Sequence, residues 1–313
     1  AEDRSVSKPA MDVLITGVAG FVGAHLGRHL VDRGHRVSGT YIGEKPELDG
    51  VDLIEADLLD AARLSEVIEA TTPEGIVHLA GLSHVGESWK RPDIYFRVNV
   101  LGSENLLRAA EGVRVVAASS AEVYGLVPEE EQPLTEDRVA APTSPYGMSK
   151  AAMERVAAHY DATIVRSFNI CGPGQAPIFA LPAFAQQLRA IANGEQPPTI
   201  QVGNLSARRD FVHVDDAVAG FVTLLEQGHP GEVYNLGSGQ AHSVEEALDE
   251  LIRISGVLAA VEVDRARLRS VDVPLLVAST IPLSSLGWKA EKTLSEALED
   301  LWDESAEHGP ATG

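Results

Sequence analysis

Tyr146 and Lys150 stand four residues apart in the run Ser144-Pro145-Tyr146-Gly147-Met148-Ser149-Lys150. On a helix that spacing puts the phenol and the ammonium on one face, one above the other. A fixed positive charge favours the phenolate, so the pair is predicted to lower the Tyr146 pKa and to give a proton donor and acceptor near neutral pH. An isolated Tyr-x-x-x-Lys describes a surface tyrosine beside a solvated lysine equally well. The surrounding chain has to decide between the two.

The elements that must position this pair can be read from local chemistry. Ser144 suits the N-cap and Pro145 the first helical turn, and residues 151–158 are strong helix formers. Near the N-terminus, Asp12-Val13-Leu14-Ile15-Thr16 reads as a buried parallel strand. It enters Gly17-Val18-Ala19-Gly20-Phe21-Val22-Gly23 and then a helix to about residue 33. Strand, glycine turn and helix make a phosphate site from backbone N–H groups and the helix dipole. Gly17 permits the tight turn, Gly20 the approach of a pyrophosphate, and Gly23 close packing of helix on strand. The spacing is G-x-x-G-x-x-G, and its place between strand and helix makes it a dinucleotide-binding signal, with Phe21 and Val22 at the turn.

Further strands are predicted at 36–40, 51–55, 75–81, 114–120 and 162–166, and a helix carrying Asn99 at about 92–111. Asp57 and Leu58 follow the third strand, and Asp60 caps the next helix. Leu79, Ala80 and Gly81 close the fourth strand, with small side chains that leave room for a ligand, and Ser119 and Ser120 close the fifth with two hydroxyls. Alternation of this kind means an α/β fold, a Rossmann-type doubly wound parallel sheet with its ligands beyond the C-terminal strand ends. No acid ends the second strand at Thr40-Tyr41, where an NAD-selective site commonly holds the ribose 2′-OH. The cofactor is therefore NADP or NAD, with a lean to NADP.

The 313 residues are 44% hydrophobic, enough for one large core or a core with a smaller appended part. A single cysteine, Cys171, excludes a disulfide framework and suits a reducing, cytoplasmic setting. No apolar run approaches a membrane span, and a net charge of −21 argues against nucleic acid and anionic membranes as partners. Such an acidic chain can bind a phosphate compound only by gathering arginines at the site. His25, His29, His78, His84 and His213 form no pattern of metal ligands, so no metal is expected. Residues 1–10 read as a disordered or added N-terminal extension before Met11, and 306–313 as a tail.

With these residues in view the chain resembles an extended short-chain dehydrogenase/reductase acting on nucleotide sugars, from Met11 to about Trp302. The likeness rests on Thr16-Gly17-x-x-Gly20-x-x-Gly23, Asp57-Leu58, His78-Leu79-Ala80, Asn99-Val100, Ser119-Ser120-Ala121-Glu122-Val123-Tyr124-Gly125 and Tyr146-x-x-x-Lys150. It implies a catalytic triad of Ser120, Tyr146 and Lys150. In it Tyr146 exchanges a proton with a sugar oxygen, Ser120 hydrogen-bonds that oxygen, and Lys150 holds the nicotinamide ribose. It further implies that Asp57 and Leu58 line the adenine and that Asn99 belongs to the polar network of the active site. A homodimer through the Asn99 and Tyr146 helices is implied as well.

The second half begins in a Gly/Pro-containing segment, Ser167 to Gln175, predicted as a loop and a domain border. Residues 11–168 would form the dinucleotide-binding domain and 169–305 mainly the substrate-binding part. By the resemblance Asn169 contacts the sugar diphosphate, and Arg209 of Arg209-Asp210-Phe211 and Arg269 of Arg267-Leu268-Arg269 bind it. Guanidinium forks suit phosphate oxygens by charge and geometry. Asp215 is predicted to cap the helix at 216–227.

Within the family the likeness is to members that reduce the C4 ketone of GDP-4-keto-6-deoxy-D-mannose to GDP-D-rhamnose. It is carried by Phe168-Asn169-x-x-Gly172-Pro173-Gly174-Gln175, Val202-Gly203-Asn204-Leu205 and the run from Arg267 to Pro274. GDP-mannose 4,6-dehydratases carry Thr, a variable residue and Glu where this chain has Ser120, Ala121 and Glu122. Glu122 thus stands where a dehydratase keeps its C5 base and joins the candidate catalytic residues. A 4-epimerase would use the same triad. Ala278 and Ile281 replace an Asp and a Lys often seen in such chains, which suggests lost structural salt links. A non-catalytic binding module commonly lacks the Tyr–Lys pair that this chain keeps.

Overall fold

The computed structural model describes residues 10–268 and 273–307. Seven strands form one parallel sheet: β1 (Asp12–Thr16), β2 (Arg36–Tyr41), β3 (Val51–Glu55), β4 (Gly75–His78), β5 (Arg114–Ser120), β6 (Thr163–Ser167) and, from much later in the chain, β10 (Val233–Leu236). Their spatial order is β10-β6-β5-β4-β1-β2-β3. The chain winds outward from β1 to β3, returns to β4 beside β1, and then winds the other way. That reversal opens a crevice beyond the C-terminal ends of β1 and β4, the place where doubly wound sheets bind ligands.

Central strands are buried on both faces, as Val13, Leu14, Ile15, Ile76 and Val77 show by being at most 1% exposed. One face is covered by α1 (Phe21–Asp32) and α8 (Val214–Gln227), which pack Leu26, Leu30, Ala217 and Phe221 against Ile15, Val77 and Val116. The other is covered by α2 (Ala61–Thr71), α5 (Ser103–Ala109) and α6 (Pro145–His159), through Leu64, Leu106 and Met153. Each fully buried leucine contributes about 2 kcal/mol of hydrophobic stabilisation before its entropy cost. Short helices α3 (Val85–Lys90) and α4 (Pro92–Phe96) lead into α5.

The remaining elements form a smaller body. β7 (Asn169–Cys171), β9 (Arg208–His213), β11 (Ala241–Ser243) and β13 (Leu275–Leu276) join around β9. β8 (Thr199–Val202) pairs with β12 (Ala260–Val263). α7 (Ala180–Ala192), α9 (Val244–Ser255) and α11 (Leu294–Glu307) enclose their own apolar core, including Leu188, Leu251 and Leu298, while α10 (Ile281–Ser285) lies against β10. Among the described residues no helix is long and apolar enough to cross a membrane.

Three local expectations change. The predicted helix over 92–111 is interrupted: α4 gives way to a π-helical turn at Arg97–Gly102 before α5 begins, and α5 ends at Ala109. The predicted loop at 167–175 contains β7, whose residues Asn169 to Cys171 pair in parallel with Phe211 to His213. Alternation is too short there to be told from a Gly/Pro loop. Finally, His213, not Asp215, caps α8: its Nδ1 accepts the Asp215 N–H at 2.9 Å. Asp215 lies in the first turn and pairs with Lys292 at 2.8 Å. The sequence rule that names an acid as cap does not weigh the histidine just before it.

Candidate active site

At the crevice the glycine turn is shaped by space as well as by dihedral angle. Gly17 has φ +75°, and a Cβ there would stand 2.8 Å from the Ala80 backbone N and Cα. A Cβ on Gly23 would overlap the Gly17 carbonyl. Gly20 is the N-cap of α1 and offers no capping side chain, so the N–H groups of Phe21, Val22 and Gly23 face outward without one. That cradle fits the pyrophosphate of a dinucleotide, an anion at a helix N-terminus reached by bare backbone. Farther along, Leu58 is buried and its carbonyl accepts Asn105 Nδ2 at 3.0 Å. Asp57 is exposed and its Oδ1 accepts the Leu59 N–H at 2.9 Å, a turn contact that leaves the carboxylate at the rim.

The end of β4 is tied to β1 and to the interrupted helix. Thr16 and His78 are register partners, with Thr16 Oγ1 and His78 Nδ1 2.7 Å apart, and the Ala80 N–H donates to Thr16 Oγ1 at 3.3 Å. His78 Nε2 lies 2.8 Å from Ser103 Oγ, which donates to the Asn99 carbonyl at 2.6 Å. Burial, with the nearby Lys150 charge, pushes the His78 pKa down to about 3, so the imidazole is neutral at physiological pH. The π-helical turn carries Asn99, 1% exposed, inward. Asn99 Oδ1 accepts the Leu82 N–H at 2.8 Å, and Nδ2 donates to the Leu82 carbonyl and to Ser149 Oγ, each at 3.0 Å. An amide placed this way clamps the chain just after Gly81 to α6. A Cβ on Gly81 would lie 2.9 Å from Asn99 Oδ1 and 3.6 Å from Lys150 Nζ, so these three residues meet at one point.

The structure brings Ser120, Tyr146 and Lys150 to that same corner. Ser144 caps α6, accepting the Gly147 N–H at 3.1 Å, and Pro145 opens the helix, as expected. Ser120 ends β5, where its hydroxyl accepts the Glu122 N–H at 3.2 Å and lies close enough to the Tyr146 phenol to favour the phenolate. Lys150 Nζ donates to the Ala118 carbonyl at 2.8 Å. The expected lowering of the Tyr146 pKa is not found. Burial pushes it up to about 12, opposed by the nearby Ser120 hydroxyl, while the Glu122 carboxylate and Tyr95 push it further up. Burial is the largest cause, and Lys150, whose ammonium is bonded to the Ala118 carbonyl, is not among the groups that shift the phenol. The same burial pushes Lys150 down to about 8. At neutral pH the corner therefore holds a protonated phenol ready to donate. Glu122 lies in the 3₁₀ turn Ala121–Tyr124 that follows Ser120, close enough for its charge to be felt at Tyr146.

Two contacts had no sequence signal. The Tyr95 ring meets Tyr146 edge-on with centroids 6.2 Å apart, and its hydroxyl donates to the His84 carbonyl at 2.6 Å. His84 itself caps α3 and reaches the Ile178 carbonyl, 3.2 Å from Nε2, across the cleft. Neither residue belongs to a motif or spacing that marks it, and only the fold places them at this corner.

On the substrate side the predicted cations divide. Arg209 lies on β9, 7% exposed, and its Nη1 donates to the carbonyls of Val273 at 2.7 Å and Arg208 at 3.0 Å. Those bonds orient the guanidinium as part of the β9–β13 junction. Asn169 is exposed on β7, one strand away, opposite Phe211. Arg269 lies outside the described residues. Asp210 was not singled out beforehand, yet it accepts N–H groups from Ser238, Gly239 and Ala278 at 2.6–3.0 Å and fixes the loop after β10. Ala278, expected to mark a lost salt link, contributes its backbone N–H to that carboxylate. Of the histidines, His25 binds the Pro173 carbonyl at 2.9 Å, and His213 binds Asp300 at 3.0 Å. Among the described residues no three His, Cys, Asp or Glu side chains gather as metal ligands.

A parallel sheet wound from β1 in both directions, a glycine cradle at its switch point and a Ser–Tyr–Lys corner define an extended short-chain dehydrogenase/reductase. Comparison with known proteins makes the family narrower: residues 14–301 match GDP-mannose 4,6 dehydratase, and the chain belongs to that family. It is 32% identical over 300 residues to the GDP-6-deoxy-D-mannose reductase of Pseudomonas aeruginosa, covering 92% of this chain and 95% of the relative. It is also 32% identical over 332 residues to the UDP-glucose 4-epimerase of Yersinia enterocolitica, covering 93% and 96%. Among solved structures, RMD from Pseudomonas aeruginosa complexed with NADPH superposes with a TM-score of 0.82 at 29% identity, over 95% of this chain and 98% of that one. The UDP-glucose 4-epimerase of Thermus thermophilus in complex with NAD gives 0.84 at 29% identity, over 93% and 98%.

Proposed function

We propose that this protein is an NAD(P)H-dependent reductase that converts the C4 ketone of GDP-4-keto-6-deoxy-D-mannose to the hydroxyl of GDP-D-rhamnose. The observation that carries the reading is the buried, protonated Tyr146 phenol beside Ser120, in a chain that aligns over 92% of its length with a GDP-6-deoxy-D-mannose reductase. Ala80, Gly81 and Lys150 would hold a reduced nicotinamide, which would supply the hydride. Gly17, Gly20 and Gly23 with the first turn of α1 hold its pyrophosphate, Leu58 and Asp57 border the adenine, and the Lys150 ammonium binds the ribose. Ser120 donates a hydrogen bond to the ketone oxygen, which polarises the carbonyl and orients it toward Tyr146. Tyr146 then gives its proton to that oxygen as the alkoxide forms, and Asn99 keeps α6 and the Gly81 segment in register throughout. Arg209, Asn169 and Arg269 are the proposed diphosphate ligands, guanidinium forks that offset the acidity of the chain.

Residues 11–168 would serve the dinucleotide and 169–305 mainly the sugar nucleotide, with α8 and β10 of the second segment completing the larger sheet. Phe96, Leu101 and Met148 are 40%, 50% and 44% exposed on the Asn99 and Tyr146 helices, which supports a homodimer through that face.

One observation favours a second reading. The Glu122 carboxylate is close enough for its charge to be felt at Tyr146, which would place it beside the sugar, where a 4,6-dehydratase acting on GDP-mannose needs its C5 base. The test is to follow reduced-nicotinamide absorbance with NADPH and then NADH on addition of GDP-4-keto-6-deoxy-D-mannose. Stoichiometric loss supports the reductase. No loss, with GDP-mannose converted to a 4-keto product and no net oxidation of cofactor, would replace it with the dehydratase.

A further inference from the structure

Behind the catalytic corner lies a buried polar cluster that the reaction as described does not use. Glu154 sits one helical turn beyond Lys150 on α6, and Ser119 and Arg166 are register partners on β5 and β6, beneath that helix. Glu154 Oε1 accepts from Ser119 Oγ at 2.6 Å and from Arg166 Nε at 3.0 Å, while Oε2 accepts from Arg166 Nη2 at 2.8 Å. Glu154 and Arg166 are 7% and 5% exposed. Arg166 is held in turn by the Glu136 carbonyl at 3.1 Å and by the Tyr124 ring, whose centroid is 4.8 Å from the guanidinium carbon.

A bidentate pair of this kind costs desolvation on both sides, and apolar residues of similar volume would often serve stability as well. Its position suggests a purpose. Ser119 is covalently next to Ser120, and Glu154 shares a helix face with Lys150 and, a further turn back, Tyr146. One carboxylate thus links the strand that carries the hydroxyl to the helix that carries the phenol and the amine.

We propose that Glu154, clamped by Ser119 and Arg166, is a positioning residue of the active site: it locks α6 to the ends of β5 and β6 and presents a negative charge to the Lys150 ammonium. This rests on the reading of Lys150 as the ligand of the nicotinamide ribose. Lys150 is also faced by the Ala118 carbonyl from β5 and by neutral His78 from β4, and Tyr146 lies one turn back on its own helix. Glu122 faces Tyr146 from the turn after β5, and Arg166 opposes Glu154 from β6. Of these charges only Glu154 acts to raise the Lys150 pKa, against the burial that pulls it down to about 8. As pH rises through that value the ammonium is lost, so cofactor affinity is set to fall on the alkaline side.

The experiment titrates binding of NADPH, or of NADH where it binds better, from pH 6 to 10 by nicotinamide fluorescence, with a melting curve at each pH. Glu154→Gln is expected to move the alkaline midpoint down by about one pH unit. Because Glu154→Gln strands Arg166 and could unfold the chain, the double variant Glu154→Met/Arg166→Met is measured beside it. Removing both buried charges should recover melting temperature while the midpoint stays low. A wild-type midpoint in a folded double variant would overturn the proposal and leave the cluster as packing alone. Lys150→Met separates the two layers. If it binds cofactor with the wild-type alkaline fall-off intact, Lys150 is not the titrating ligand, and the reading of the active site fails independently of Glu154.

Discussion

Replacing Tyr146 by Phe removes one oxygen atom and leaves the rest of the corner in place. The ring is 7% exposed and stays packed edge-on against Tyr95. The fold should lose no more than the polar contact of the phenol with Ser120, about 1 kcal/mol at most. The loss to catalysis is larger. With its pKa pushed up to about 12, the phenol is protonated at neutral pH and is the donor to the incoming alkoxide. Loss of a positioned general acid lowers turnover by about 100- to 10 000-fold, or about 3–5 kcal/mol in the barrier. The assay is kcat from the loss of reduced-nicotinamide absorbance, with cofactor Kd from fluorescence and Tm from a melting curve on the same preparation. Turnover should collapse while Kd stays within about threefold and Tm changes by a few degrees. A variant that keeps more than about a tenth of wild-type kcat would refute the proton-donor role. A variant that loses cofactor binding in parallel would show Tyr146 to be scaffold.

Other outcomes follow from the same geometry. Gly17→Ala should cost about 1–2 kcal/mol for its positive φ, displace the Ala80 backbone, and weaken cofactor binding at least about tenfold by fluorescence titration. Asn99→Leu strands the Leu82 N–H and carbonyl and should destabilise the protein by on the order of 3 kcal/mol in urea unfolding; an unchanged midpoint would deny the clamp. For Lys150 the folded pKa lies below the unfolded one, so the buried ammonium costs stability below about pH 8, and that cost fades as pH rises toward the ordinary lysine value. Lys150→Met should therefore be about 1–3 kcal/mol more stable than wild type at pH 7, with the advantage shrinking by pH 10, while losing turnover. Glu122→Gln should leave a reductase with most of its kcat and would abolish a dehydratase, which product analysis from GDP-mannose would reveal.

Much of the nucleotide-binding half was legible because its signals are local. Glycines with a steric requirement, a Ser-Pro helix start and apolar runs of strand length identify themselves by chemistry over a few residues, and β1, β5 and α6 lie where those signals place them. Asn99 could be named, but the π-helical turn that rotates it inward could not, since an extra residue in a helical turn leaves no periodic trace over so short a run. The Tyr146 pKa was misjudged in direction because spacing reports a neighbouring charge, whereas the deciding factor was burial, a property of the whole fold. Arg209 reads as a free cation in sequence, yet part of its guanidinium is bound to the carbonyls of Arg208 and Val273. The Ser119–Glu154–Arg166 cluster joins residues 35 positions apart and 12 positions apart through strand register, which single-sequence periodicity does not encode.

The central claim is that the nicotinamide-derived hydride goes to C4 of a GDP-4-keto-6-deoxy sugar and remains there, with Tyr146 supplying the proton. The most direct test uses reduced cofactor carrying deuterium at both C4 positions of the nicotinamide, GDP-4-keto-6-deoxy-D-mannose, and proton NMR of the isolated product. One deuterium at the sugar C4 in the wild type, with no product from Tyr146→Phe, is the predicted result. A product without deuterium at C4, or turnover with no net consumption of reduced cofactor, would contradict the account and assign the chain to dehydratase or epimerase chemistry.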